Sequence, residues 1–247
     1  MAGSLSLEQG KIAQNLRLVT ERIDAAARKA GCSGSDITLV VVTKTRSVAE
    51  IREALACGVK NIGENYVQEA EDKYAEIGNK VKWHMIGHLQ RNKARHAVEI
   101  FNMVHSVDSE PLARELARRA EAIGKRLDVL VEVKISGEPS KFGVEAEDAL
   151  RLADKISEVS GIRVCGLMGM APFELNPEDA RPYFTRLKEL WDKLPQEQHL
   201  YLSMGMTGDF EIAIEEGSNM VRIGTAIFGQ RVGGSASQRV GESNTTR

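Results

Sequence analysis

Residues 37–65 read ITLVVVTKTRSVAEIREALACGVKNIGEN, and this stretch decides the fold. A β-branched apolar run at 37–44 is followed at once by a helical pattern at 48–57. A second strand-like run follows at 59–64. A strand, a helix and a strand in about 30 residues make a βαβ unit, which calls for a parallel sheet. The same alternation continues along the chain. Strand-like stretches fall at 82–87, 102–107, 127–135, 162–169, 199–204 and 219–224; helical patterns fall at 66–77, 91–98, 109–123, 145–160, 177–194 and 208–216. Eight such strands predict a closed (β/α)8 barrel of the TIM type, with a doubly wound open sheet as the alternative. An extra helix over residues 5–30 precedes them: Leu5, Ile12, Leu16, Val19, Ile23 and Ala27 share a stripe, and Gly31 ends it.

One domain over residues 5–230 is expected, followed by a Gly/Ser/Thr-rich disordered tail at 231–247. A chain of 247 residues buries roughly 70–75% of its unfolded surface, so its core needs no disulfide or metal staple. The 33 Lys+Arg against 35 Asp+Glu create no field of one sign, which argues against nucleic acid or an anionic membrane as partner. No apolar run approaches the ~20 residues that span a bilayer, and the N-terminus lacks a signal-peptide layout. Cys32, Cys57 and Cys165 are odd in number and far apart, as in a reducing, cytoplasmic setting.

In such a barrel, chemistry gathers at the C-terminal ends of the strands. Lys44 ends the first strand. Burial lowers an ammonium pKa and frees a nucleophilic amine, which suits Schiff-base formation; the alternative is a rim lysine paired with a carboxylate. In 58–65, Asn61, Gly63 and Asn65 share one face, and Asn65 either approaches a planar ligand or caps the next helix. His84 reads as a core histidine and His88 as a rim acid/base or ligand contact; neither has an HExxH partner. Ser203, Gly205, Thr207 and Gly208 cluster before a helical segment, where free amides form an anion site. Arg222 sits mid-strand on the face of Met220 and Gly224, followed by Thr225, and needs an anion or an electron-rich ring to meet. Loops after strands seven and eight of barrels frequently bind phosphate. A lysine across the mouth from a phosphate site and an arginine matches the needs of pyridoxal phosphate, with Arg222 facing a pyridine nitrogen that it keeps unprotonated.

The segments VVVTKT, NIGENYVQEA, WHMIGHLQRNK, SKFGV, GLMGMAP and LSMGMTGDFEIAIEEGSNMVRIGTAIFG together resemble the pyridoxal phosphate homeostasis protein family, in order, over residues ~10–230. The resemblance implies a lone barrel like the N-terminal domain of alanine racemase, without a C-terminal β-domain. It also implies a pyridoxal 5'-phosphate aldimine on Lys44, with Asn65 near the ring. Ser203, Gly205, Gly224 and Thr225 would then hold the phosphate, and Arg222 would face the ring nitrogen. Such proteins serve intracellular vitamin B6 homeostasis without established turnover, so a carrier that hands cofactor to apoenzymes, rather than an enzyme, is expected. Two positions depart from the family's usual pattern, His88 and Lys134. Glu132, Lys134 and Ser136 share a strand face, so a Glu132–Lys134 pair inside the barrel is expected.

Two other functions share part of this pattern. An amino-acid racemase needs a second acid/base group, and Tyr66, Tyr74, Tyr183 and Tyr201 all fall in predicted helices or at a strand start. A cofactor-free aldolase would use the same lysine but be colourless. Lacking the β-domain that pairs racemase subunits, the chain is expected to be a monomer.

Overall fold

The computed structural model describes residues 3–136, 142–172 and 176–230; the tail expected at 231–247 lies outside the described residues. Helix α1 (Gly3–Lys29) comes first, and its stripe of Ile12, Leu16, Val19, Ile23 and Ala27 is buried. Nine strands follow among the described residues: β1 (Thr38–Val42), β2 (Asn61–Glu64), β3 (Lys82–Met85), β4 (Met103–Val107), β5 (Leu127–Lys134), β6 (Val144–Glu145), β7 (Ile162–Gly169), β8 (Tyr201–Ser203) and β9 (Met220–Ile223). Between them lie α2 (Val48–Ala56), α3 (Val67–Ile77), α4 (Ala94–Ile100), α5 (Glu110–Glu121), α6 (Ala146–Ser157), α7 (Arg181–Trp191) and α8 (Phe210–Glu215), and α9 (Thr225–Phe228) ends the series.

Strand pairing closes the sheet. The order runs β4-β3-β2-β1-β9-β8-β7-β5, every pair is parallel, and β4 pairs with β5. That last pairing distinguishes the (β/α)8 barrel from the open sheet. The extra strand β6 bonds to the end of β5, with Glu145 opposite Lys134.

Local chemistry accounts for the first unit. Thr38–Val42 carries three consecutive valines, which suit a pleated surface buried on both faces. Ser47 then opens α2 with a capping box: its hydroxyl accepts from the Glu50 N–H, while its own N–H donates to Glu50 Oε2 at 2.7 Å.

The core has two compartments. Val41, Ile62, Trp83, Val104, Leu167, Leu202 and Val221 fill the outer layer between strands and helices. A smaller cluster of Val40, Met103, Leu130, Cys165, Met168 and Met220 forms the second. These side chains alternate along the strands with the outer set, which places them inside the barrel. Polar groups share that interior, because His84, His105, Ser203 and Arg222 are all buried.

One sequence expectation is corrected here. Glu132 and Lys134 do not pair: Lys134 Nζ donates to Glu145 Oε1 at 2.8 Å, because β6 brings that carboxylate beside it.

Candidate functional site

The strands deliver their C-terminal ends to one cavity of about 750 Å³. Lys44, Asn65, Arg222, Gly224 and Thr225 all line it, as do Glu132, His88 and residues 206–209.

Lys44 is half-buried and set by a brace on its two neighbours. Lys73 of α3 is buried, and its Nζ donates at 2.7 Å to Thr43 O, Glu64 Oε1 and Glu69 Oε1. Glu64 points outward from β2, fully buried, and also accepts from the Thr43 hydroxyl at 2.7 Å. Burial raises its pKa, against the lowering effect of Lys73. Glu69 accepts the Thr45 N–H in turn. Thr45 has φ +63°, a left-handed conformation that a β-branched residue rarely adopts. Strain of this kind persists where the surroundings over-determine the backbone. Here the cluster fixes the peptide groups on either side of Lys44. Sequence reading missed it, although Glu69 and Lys73 stand four apart on one helix face.

Arg222 reaches the cavity from β9 and is 3% exposed. Its Nη1 donates to Ser203 Oγ at 2.6 Å and its Nη2 to Gly169 O at 3.1 Å. Burial lowers its pKa to about 10 against the raising influence of Glu132 and Asp209, so it stays charged at neutral pH. Ser203 also meets His105 Nδ1 at 3.2 Å; His105 Nε2 lies 2.9 Å from His84 Nδ1, and His84 Nε2 lies 3.1 Å from Asn61 Oδ1. Burial drives the His84 pKa down to about 3 and that of His105 well below its ordinary value. His84 is therefore the core histidine its position suggested.

Across the mouth, the phosphate-type elements divide. Thr207, Gly208, Gly224 and Thr225 border the cavity, and the Thr207 hydroxyl accepts from the Ala226 N–H at 3.4 Å. The N–H groups of Thr207 and Gly208 have no backbone partner among the described residues, and no heavy atom stands within 4 Å of where a Gly208 Cβ would lie. Ser203 and Gly205 lie outside the lining. The Ser203 hydroxyl is held in the barrel interior by Arg222 and His105. Gly205 has φ +94°, and a Cβ there would stand 2.6 Å from Ala213 Cβ and 2.9 Å from Phe210 Cα, so it lets β8 approach α8.

Glu132 is 3% exposed, and its Oε2 has no hydrogen-bond partner among the described residues. Burial, reinforced by Asp108 and opposed by Arg222, pushes its pKa up to about 7. At the rim, the His88 ring stacks on Phe142 with centroids 3.7 Å apart, and its Nδ1 lies 3.7 Å from Asp108 Oδ2. Tyr66 also lines the cavity and is 63% exposed. Its expected place inside a helix is corrected: it is the residue before α3, two after β2, because α3 starts at Val67.

Taken together, the wall offers a lysine amine, a charged arginine, a buried carboxyl whose pKa is raised and a hydroxyl-and-amide cradle. This donor set suits a phosphorylated aldehyde with a basic ring nitrogen. Among the described residues no cluster of His, Cys, Asp or Glu could hold a metal ion, and no helix is long and apolar enough to cross a membrane.

Residues 10–232 match the family described as alanine racemase, N-terminal domain. The pyridoxal phosphate homeostasis protein of Aquifex aeolicus is 43% identical over 222 residues, covering 88% of this chain and 97% of the relative. That of Escherichia coli K12 is 40% identical over 228 residues, covering 89% and 97%. The structure of PipY from Synechococcus elongatus with PLP bound superposes with a TM-score of 0.77 at 33% identity, covering 88% of this chain and all of PipY. An alanine racemase from Bartonella henselae, at 12% identity and a TM-score of 0.68, shares the fold over 90% of this chain and 60% of its own. The chain belongs to the pyridoxal phosphate homeostasis protein family, built on the alanine racemase N-terminal domain.

Proposed function

We propose that this chain binds pyridoxal 5'-phosphate through an imine with Lys44 and serves vitamin B6 homeostasis as a carrier without catalytic turnover. The observation that carries the reading is the convergence of Lys44, Arg222 and the 207–208 and 224–225 segments on one cavity. In this reading the bound aldehyde supplies an electrophilic carbon for the Lys44 amine. Thr207, Gly208, Gly224 and Thr225 hold the phosphate, and Asn65 flanks the ring. Arg222 meets the ring nitrogen with a fixed positive charge, which disfavours protonating it and weakens the ring as an electron sink. Ser203 and Gly205 act from behind the wall, by orienting Arg222 and by shaping the turn that carries Thr207. The protein works as a cytoplasmic monomer that passes the cofactor to apoenzymes.

The test is colour. Incubation with the cofactor gives a yellow protein with imine absorbance, and Lys44→Ala gives none. Unchanged imine absorbance in Lys44→Ala would overturn the assignment, and a colourless wild type would favour the aldolase alternative.

A second, racemase-like reading has one observation in its favour, since Tyr66 and His88 both line the cavity and could act as acid/base groups. Exchange of the α-proton of amino acids in D2O decides between them; robust exchange would displace the carrier reading.

A further inference from the structure

Five polar side chains cross the barrel interior in a continuous chain: Arg222, Ser203, His105, His84 and Asn61. They come from β9, β8, β4, β3 and β2, and since β4 and β8 are not neighbours, the His105–Ser203 bond spans the interior. Barrel interiors are ordinarily filled by apolar branched side chains, so a polar chain here calls for a reason.

The chain's direction follows from its ends. A guanidinium has no acceptor, so Arg222 donates to Ser203 Oγ. The Ser203 proton must then go to His105 Nδ1 or stay unsatisfied in the core, which is costly. With Nδ1 accepting, neutral His105 carries its proton on Nε2 and donates to His84 Nδ1. By the same step His84 carries its proton on Nε2 and donates to Asn61 Oδ1. Every bond points away from Arg222. Bonds aligned in this way polarise one another, and their negative ends face the guanidinium. The charged groups acting on the pair are Lys82 and Asp128 for His84 and Arg222 for His105.

We propose that His105 and His84, each fixed as the neutral Nε2–H tautomer, are positioning residues: they form a one-way hydrogen-bond chain that holds Arg222 in place and charged at the cavity floor. The link to cofactor binding rests on the function proposed above; the tautomers do not. Arg222 is thereby kept ready for a ring nitrogen even without ligand.

Two measurements test this. In the ligand-free protein, nitrogen-15 NMR of labelled histidine should show both rings as Nε2–H and unchanged between pH 5 and 8. An Nδ1–H tautomer, or titration of either ring in that range, overturns the proposal whatever the protein binds. For the loaded protein, pyridoxal phosphate affinity is read by absorbance titration. His105→Phe should weaken it at least tenfold, whereas His105→Gln, which keeps an acceptor and a donor, should restore most of it. Ser203→Ala cuts the same chain with little change in volume and carries this arm if His105→Phe does not fold. Affinity unchanged in a folded His105→Phe or Ser203→Ala variant overturns the positioning role, while failure of the wild type to bind the cofactor overturns the function and leaves the NMR result standing.

Discussion

Replacing Lys73 with methionine removes three bonds of 2.7 Å at once and leaves Glu64, fully buried, without its cation. Among the described residues Glu64 Oε2 has no hydrogen-bond partner even in the intact cluster, and the Thr43 hydroxyl is the one donor left to that carboxylate. Removing one member of a buried ion pair costs about 3–5 kcal/mol, a large share of a total stability of about 5–15 kcal/mol. For a chain of this size the melting temperature should fall on the order of 10 °C. The cost should depend on pH. Burial already raises the Glu64 pKa and Lys73 lowers it, so without Lys73 the folded-state pKa rises further. A raised carboxyl pKa takes stability away as pH rises through it, so the loss should be larger at higher pH and shrink as pH falls towards the ordinary carboxylate range. Urea denaturation of ligand-free wild type and Lys73→Met, followed by circular dichroism across a pH series, measures this. Glu64→Gln added to Lys73→Met should recover part of the loss. A cost below about 1 kcal/mol, or one independent of pH, would refute the reasoning.

Further expectations concern the other site residues. Glu132→Gln removes a carboxyl whose pKa is raised to about 7, so wild-type stability should fall relative to the variant's as pH rises through about 4.5 to 7, by about 3 kcal/mol at most; parallel pH profiles would contradict this. Thr45→Gly relieves a left-handed threonine and should raise stability by roughly 1 kcal/mol net of its entropy cost, as read by thermal melting. Gly205→Ala should destabilise by about 1–3 kcal/mol, because its Cβ would press on Phe210 and Ala213. Thr225→Ala should weaken pyridoxal phosphate more than pyridoxal in competition titrations, since only the first has the phosphate; equal losses would move Thr225 off the phosphate.

Sequence legibility followed the range of the interactions. The barrel strands were legible because valine runs and period-two alternation are local signals: 127–135 and 162–169 compare with Leu127–Lys134 and Ile162–Gly169. The two residues of β6 and four of α9 are too short for periodicity to register. The Lys44, Arg222, Gly224 and Thr225 ends of the cavity were legible because each follows or sits in a recognisable strand. Ser203 and Gly205 were harder, because a hydroxyl or glycine near a turn looks the same whether it faces a ligand, an arginine or a helix. In the Lys73 cluster only Glu69 is joined to the lysine by helical spacing; Thr43 lies 30 residues from Lys73 and 21 from Glu64, and His105 lies 21 from His84, distances that no spacing rule covers. Lys134 was misread because its partner comes from a strand too short to foresee.

The most direct test of the central claim is borohydride reduction of the protein incubated with pyridoxal phosphate, followed by peptide mass mapping. The account predicts one stoichiometric phosphopyridoxyl adduct on the peptide containing Lys44. An adduct on another lysine, or labelling scattered over many, would contradict it.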